Sequence, residues 1–190
     1  MSSPYNRQKA PDRVRKLLLD CTASIAATQG LSAATVSAVS SAAGVTKGAL
    51  FHHFVNKQAL VDAMFDEMLT ELDIAIDDSI AADPLQSGCF TRAYVRLALT
   101  LDDTAKSKWA VIVGSVMERA ELASKWNVWL KDRLQRHAAT DNDSILEIVR
   151  VAADGAWLNS LCDARAEPII DVSIIREKLV AMTILDAASH

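Results

Sequence analysis

The chain has 190 residues with a net charge of −4; 51% are hydrophobic and 5% aromatic, with only six Gly and four Pro. So few turn residues in an alanine-rich chain exclude a collagen-like repeat, a disordered polymer and an all-β sandwich, and the length suits one globular unit or a small domain joined to a larger one. Cys21, Cys89 and Cys162 are odd in number and show no CxxC spacing, so they read as reduced thiols packed as small hydrophobes rather than a disulfide framework or a zinc ribbon.

The N-terminus is polar and basic and leads into no apolar signal region. Residues 21–46 carry no charge over 26 positions, more than the ~20 that a spanning helix needs. Twelve of those 26 are Ser, Thr, Gln or Gly, too polar for a bilayer, so a cytoplasmic protein with no membrane partner is expected. Residues 1–60 hold seven basic and two acidic side chains, a net +5, whereas residues 61–190 carry −9. A basic head on an acidic body points to a polyanion as the partner of the head.

In chain order, residues 1–10 read as a mobile basic arm. Pro11 and Asp12 suit a helix start, and Val14, Leu17, Leu18, Cys21 and Ile25 follow at helical spacing until Gly30 closes the helix. Residues 31–34 form a short connection. Thr35 caps a second short helix with Val36, Val39 and Ala43 inward; Gly44 makes a tight turn, and Thr46 caps a third helix over 47–54. A longer helix starts near Asn56, with Leu60, Met64, Phe65, Met68, Leu69, Leu72 and Ile76 in one apolar stripe. The carboxylates between them read as a solvated face. Further helices are predicted near 88–101, 104–120, 122–138, 143–163 and 170–188, separated mostly by Asp-rich or Pro-containing breaks.

Two short helices joined by a glycine turn and preceded by a stabilising helix make a helix-turn-helix. Val39, Val45, Leu50 and Phe54 can fill its small core, which leaves Thr46, Lys47, Gly48, Ala49, His52 and His53 for the outward face. From about residue 11 to 60 the sequence resembles the tetracycline-repressor (TetR-like) family of bacterial transcription regulators. The resemblance is carried by Gly30, Ala34-Thr35-Val36, Val39, Ala43-Gly44-Val45-Thr46, Lys47-Gly48-Ala49-Leu50-Phe51, Phe54, Lys57 and Leu60, without gaps from Gly30 through Lys57.

The resemblance implies an all-α fold: a three-helix DNA-binding domain with its basic arm over residues 1–57, and a larger helical effector-binding and dimerisation domain over 58–190. It implies that Thr35 and Ser37 contact phosphate or the groove edge, that Lys47, Gly48, Ala49 and His52 face bases, and that Phe51, His53 and Lys57 flank the backbone. The chemistry is consistent with that. Lys47 can donate to guanine or phosphate, Gly48 and Ala49 allow close approach, and the alanine methyl can meet thymine. One departure is Phe51, where most members have Tyr; the hydroxyl that would reach a phosphate is missing. His52 and His53 are adjacent and so point ~100° apart on a helix, with no third ligand in view, and no metal or cofactor is expected.

All four Trp lie beyond residue 108. Phe90, Tyr94, Trp109, Val113, Met117, Trp126 and Trp129 are candidates for an effector pocket, with ordinary core packing as the alternative for each; the small molecule expected there is apolar or aromatic. Glu118 or Glu121 could pair with a cationic effector. Ile174, Ile175, Leu179, Met182 and Leu185 on the last helix are candidates for a homodimer interface, shared with the 143–163 helix. Asp154-Gly155 reads either as a solvated face or as a close helix crossing.

The expected function is a homodimeric repressor that reads a palindromic DNA operator and is released by a small-molecule effector. An activator or effector-independent regulator is the alternative within DNA binding. A non-enzymatic helical interaction module is another, told apart by salt-dependent DNA binding. A helical enzyme with an accessory DNA-binding head would need a catalytic fingerprint, and the chain holds no HExxH, GxSxG, P-loop or dinucleotide motif. Catalytic residues are therefore not expected.

Overall fold

In the computed structural model, residues 4–100, 102–162 and 170–184 are described, with side chains for all of these but 4–10, 105, 161 and 162. Among the described residues there are ten α-helices: α1 Pro4–Gln29, α2 Val36–Ala42, α3 Lys47–His53, α4 Lys57–Ala81, α5 Cys89–Ala98, α6 Asp103–Glu118, α7 Ala120–Arg136, α8 Ala138–Asp141, α9 Ser144–Cys162 and α10 Val172–Met182. A short 3₁₀ turn, Leu31–Ala33, follows α1. No described helix is long and apolar enough to cross a membrane.

Residues 4–10, read above as an arm, are instead the first turns of α1, with Pro11 inside the helix. Proline forfeits one backbone bond and crowds the carbonyl four residues earlier. Two turns from a helix start the loss is confined to that bond, and Pro4 itself suits a first helical position. The buried stripe of α1 is also rotated by a residue from the one the spacing suggests. Leu18, Leu19, Ile25 and Ala26 are buried, whereas Leu17 is largely exposed. Thr22 joins the buried side because its hydroxyl donates to the carbonyl of Leu18 at 2.7 Å, which satisfies it locally.

The helices fall into two compact units. One comprises the chain up to Thr70 together with Ser107–Trp126, and the other Glu71–Lys106 and the chain from Asn127 onward. In the first unit Leu18, Leu31, Ala34, Val39, Leu50, Phe54, Leu60, Val61, Met64 and Phe65 form the core. The acidic residues of α4 do not stand in solvent alone. Asp62 pairs with Arg119 at 3.5 Å, Asp66 with Lys125 at 2.5 Å and Glu67 with Lys16 at 2.7 Å. The solvated-face reading of α4 is thus corrected: the apolar stripe is as expected, but the flanking carboxylates meet basic residues brought from α1, α7 and the α6–α7 link.

The second unit is built around α5, which packs against α8, α9 and α10. Nearly every side of α5 is buried, Thr91 and Arg92 included. Gly88 opens it at φ 69°, and a Cβ there would lie 2.6 Å from the carbonyl oxygen of Thr183, so this position requires glycine both for its backbone angle and for the close approach. Arg92, 1% exposed, donates to Asp83 Oδ2 (2.6 Å), to the carbonyls of Leu85 (2.6 Å) and Ser87 (3.0 Å), and to Thr183 Oγ1 (3.1 Å). The clamp ties the loop before α5 to the end of α10. Arg133, equally buried, does the same for the second half of α4 through Asp73 (2.6 Å) and Asp77 (2.5 Å). Asp171 caps α10 by accepting from the N–H groups of Ser173 and Ile174.

Candidate nucleic-acid interface

The head owes its shape to three local devices visible in the sequence. Thr35 Oγ1 accepts from Ala38 N at 3.1 Å and Thr46 Oγ1 accepts from Ala49 N at 3.1 Å, so both threonines cap the helices they precede. Between them Gly44 sits at φ 64°, a left-handed angle that glycine adopts without strain. The Val45 N–H then reaches the Ser40 carbonyl at 3.0 Å, closing the turn.

Leu50 is fully buried and orients α3. Because successive helical residues rotate by ~100°, Gly48 and His52 fall on the side opposite Leu50, and both are exposed. Lys47 and Phe51 flank them, exposed, and Ala49 and His53 are half-buried at the edges. Thr35, Ser37 and Thr46 are exposed at the helix starts. A Cβ placed on Gly48 would meet only Thr46 Oγ1, at 3.7 Å, so nothing inside the head demands glycine here.

Lys57 differs from a free surface lysine: its Nζ donates to the carbonyl of Ser32 at 3.0 Å, tying the start of α4 to the 3₁₀ turn. Three ammonium protons leave donors for a second acceptor. His53 lies edge-on to His52 (5.5 Å, 76°) and is tilted against Phe54 (6.4 Å). Arg15 of α1 places its guanidinium 5.2 Å from the centre of the Phe54 ring, a cation–π contact that sequence reasoning missed. Its signal was present only as one more basic residue in the head.

The residues assigned to an effector pocket are distributed over both units. In the first, Trp109 and Trp126 meet edge to face (5.9 Å, 67°); Val113 is half-buried and Met117 74% exposed. In the second, Phe90 is buried and stacks flat on His137 (5.3 Å, 6°), and the Trp129 indole N–H donates to Asp73 Oδ1 at 2.7 Å. Tyr94, also buried, donates its hydroxyl to Asp154 Oδ1 at 2.7 Å. Burial, followed by the Asp154 charge, pushes the Tyr94 hydroxyl well above its ordinary range. Burial likewise raises the Asp154 carboxyl, although the Tyr94 hydrogen bond and the Arg150 charge pull the other way.

Of the candidate interface residues, Ile174 and Met182 are exposed, Ile175 is half-buried and Leu179 is buried within its own unit; Leu185 lies outside the described residues. On α9, Ile145, Ile148, Val151, Gly155 and Leu158 are all exposed at i, i+3 and i+4 spacing. Beyond the backbone of its own helix, no described atom lies within 4 Å of a Cβ built on Gly155.

Two family models match the chain. Residues 18–64 match bacterial regulatory proteins, tetR family, and residues 88–184 match the tetracyclin repressor-like C-terminal domain. Among curated relatives, the HTH-type transcriptional repressor KstR2 of Rhodococcus jostii (strain RHA1) is 34% identical over 97 residues, 51% of this chain and 47% of that protein. KstR2 of Mycobacterium tuberculosis (strain ATCC 25618 / H37Rv) is 35% identical over 71 residues, 36% of each chain. The matched stretches thus span half or less of these relatives' length. Among solved structures, a transcriptional regulator from Rhodococcus sp. Rha1 has a TM-score of 0.67 at 20% identity, covering 92% of this chain and 94% of its own. The multidrug binding protein EbrR complexed with malachite green has a TM-score of 0.65 at 15% identity, covering 88% and 96%. At such identities the structural likeness establishes the all-helical fold.

Proposed function

The chain belongs to the tetracycline-repressor family of transcriptional regulators, and from that premise we propose that it is a homodimeric repressor whose two α3 helices read a palindromic operator in successive major grooves. The observation that carries this reading is the exposed face of α3. Gly48 and His52 stand opposite the buried Leu50, with Lys47 beside them and Thr35, Ser37 and Thr46 exposed at the two helix starts. Small residues at the centre allow the backbone to approach base edges, while Lys47 and the polar rim supply charge and hydrogen bonds to guanine and phosphate. Phe51, His53 and Lys57 border that face. Residues 1–57 form the DNA-binding domain in this reading and residues 58–190 the effector-binding and dimerisation domain.

Dimerisation uses the exposed apolar face of α9 together with Ile174, Ile175 and Met182 of α10. Gly155 at the middle of the α9 stripe allows the two copies of that helix to cross closely. The effector is an apolar or aromatic small molecule recognised within residues 88–138, and Trp109 and Trp126 are its reporters. It releases DNA only if it binds the non-DNA-binding arrangement more tightly than the other.

The test is binding of the purified protein to DNA selected from a random pool, at two salt concentrations, beside Lys47→Ala. Enrichment of a palindrome, bound more weakly at high salt and by the variant, supports the reading. A pool that stays random after selection, or a variant with unchanged affinity, refutes it.

A further inference from the structure

Three side chains from separate places in the second unit converge: Cys89 at the first position of α5, His137 between α7 and α8, and Asp141 at the end of α8. Their potential ligand atoms (Sγ, an imidazole nitrogen and a carboxylate oxygen) all lie within 4.8 Å of one another. We propose that Cys89, His137 and Asp141 bind one thiophilic divalent cation of the Zn²⁺ type, with a fourth coordination position left to water.

The donor set is the first argument. Sulfur, imidazole nitrogen and carboxylate oxygen are the ligands Zn²⁺ takes, at ~2.3, ~2.0 and ~2.1 Å respectively, and three protein ligands plus one open position is a recurrent arrangement. At a tetrahedral angle those lengths put sulfur and oxygen about 3.6 Å apart. Cys89 Sγ stands 4.0 Å from Asp141 Oδ2, so that pair closes by only about 0.4 Å, and the imidazole nitrogen, within 4.8 Å of both, closes by at most about 1.4 Å.

Charge is the second. Cys89 and Asp141 are buried, where an unpaired charge is costly. A thiolate and a carboxylate neutralise a divalent ion, so the loaded site adds no net charge to the interior. On binding, the Cys89 thiol gives up its proton to solvent and the sulfur lone pair forms the metal bond.

The third argument is that the ligands are already held from behind. Asp141 Oδ1 accepts from Thr91 N at 2.8 Å, and Oδ2 from the Thr140 hydroxyl at 2.9 Å and Phe90 N at 3.3 Å. Such outer contacts orient a ligating carboxylate. The His137 ring is fixed by its flat stack on the buried Phe90, and the Gly88 N–H reaches the Thr140 carbonyl at 2.7 Å, pinning the start of α5 to α8. His137 is half-buried and is the least buried of the three ligands. A purely structural arrangement, with Asp141 capping α5, the Cys89 thiol donating weakly to Thr140 Oγ1 (3.8 Å) and Asp141 Oδ2 (4.0 Å) and His137 stacked on Phe90, is the alternative that the experiment separates from a metal site.

The experiment uses the full chain dialysed against a chelator and then titrated with Co²⁺, whose thiolate complexes absorb in the near ultraviolet. The expected result is a sulfur-to-cobalt band and tetrahedral visible bands saturating at one equivalent and abolished by one equivalent of Zn²⁺, with Zn²⁺ also raising the melting temperature. Cys89→Ser and His137→Gln each weaken Co²⁺ binding by more than about 100-fold, beyond the 10- to 100-fold typical of outer-shell changes. A Cys21→Ser/Cys162→Ser double variant keeps the band. The proposal is overturned if the parent protein gives no thiolate band, if the band survives Cys89→Ser, or if it disappears from the double variant. Should Cys89→Ser fail to fold, the parent and the double variant decide by themselves.

Discussion

Replacing Arg92 by Met tests whether the second unit depends on its buried clamp. Methionine keeps much of the length of the arginine stem but removes every donor, leaving Asp83, whose side chain is 3% exposed, without its main partner. The carbonyls of Leu85 and Ser87 and the hydroxyl of Thr183 lose the same guanidinium. Removing one partner of a buried ion pair typically costs about 3–5 kcal/mol. Here Arg96 still reaches Asp83 Oδ2 at 3.1 Å and the Leu85 N–H still donates to Oδ1 at 3.0 Å, which places the cost near the lower end, about 3 kcal/mol. For a chain of this size that lowers the melting temperature by roughly 6–12 °C.

The loss carries a pH signature. Burial pushes the Asp83 carboxyl up, but the hydrogen bonds from Arg92 and Leu85 and the charges of Arg92 and Arg96 outweigh it and hold the group below its ordinary range. A carboxylate depressed in the folded state contributes stability above its unfolded value of ~3.9 and loses it as pH falls through the folded value. Thermal melts followed by circular dichroism from pH 7 to pH 3 therefore show the gap between parent and variant narrowing on acidification. A gap under about 1 kcal/mol at pH 7, the range of an exposed pair, or one that is independent of pH, would falsify the clamp.

Gly48→Ala has room within the head and gains up to about 1 kcal/mol of helix propensity, so the melting temperature rises while operator affinity falls; unchanged affinity in a gel-shift titration counts against Gly48 as the point of closest approach. Ser40 is buried and its hydroxyl has no hydrogen-bond partner among the described residues, so Ser40→Ala stabilises by about 1 kcal/mol in urea unfolding; a loss of stability argues for an unseen partner. Asp154 titrates above its ordinary range, so its contribution to stability is present below the unfolded value and lost as pH rises through the folded one. Asp154→Asn keeps an acceptor for Tyr94 and should melt higher than the parent at pH 7, with the advantage vanishing toward pH 3; a constant advantage contradicts the shift. Gly155 is exposed and a Cβ there has room, so Gly155→Leu folds but sediments as a monomer, whereas an intact dimer removes α9 from the interface.

What the sequence determined by itself was everything that depends on near neighbours. Thr35 and Thr46 are helix caps because a hydroxyl three residues before a free N–H is a local device, and Gly44 takes the turn because it alone has no Cβ. The α4 stripe from Leu60 to Ile76 is buried as its period requires. The face of α3 followed from the position of Leu50 and a fixed rotation per residue.

Only the tertiary structure decided which distant segments meet. Periodicity marks Asp62, Asp66 and Glu67 as polar, but carries no information that Arg119, Lys125 and Lys16 arrive beside them. Arg92 and Arg133 look like surface residues in any composition, and are buried because carboxylates and carbonyls from remote turns converge on them. Cys89, His137 and Asp141 form no spacing motif across the chain; packing of α5 against α8 brings them together. The physical reason is the same in each case. A hydrogen bond or burial within one turn is set by backbone geometry, whereas a buried charge is set by its partners, and those are chosen only when the helices pack.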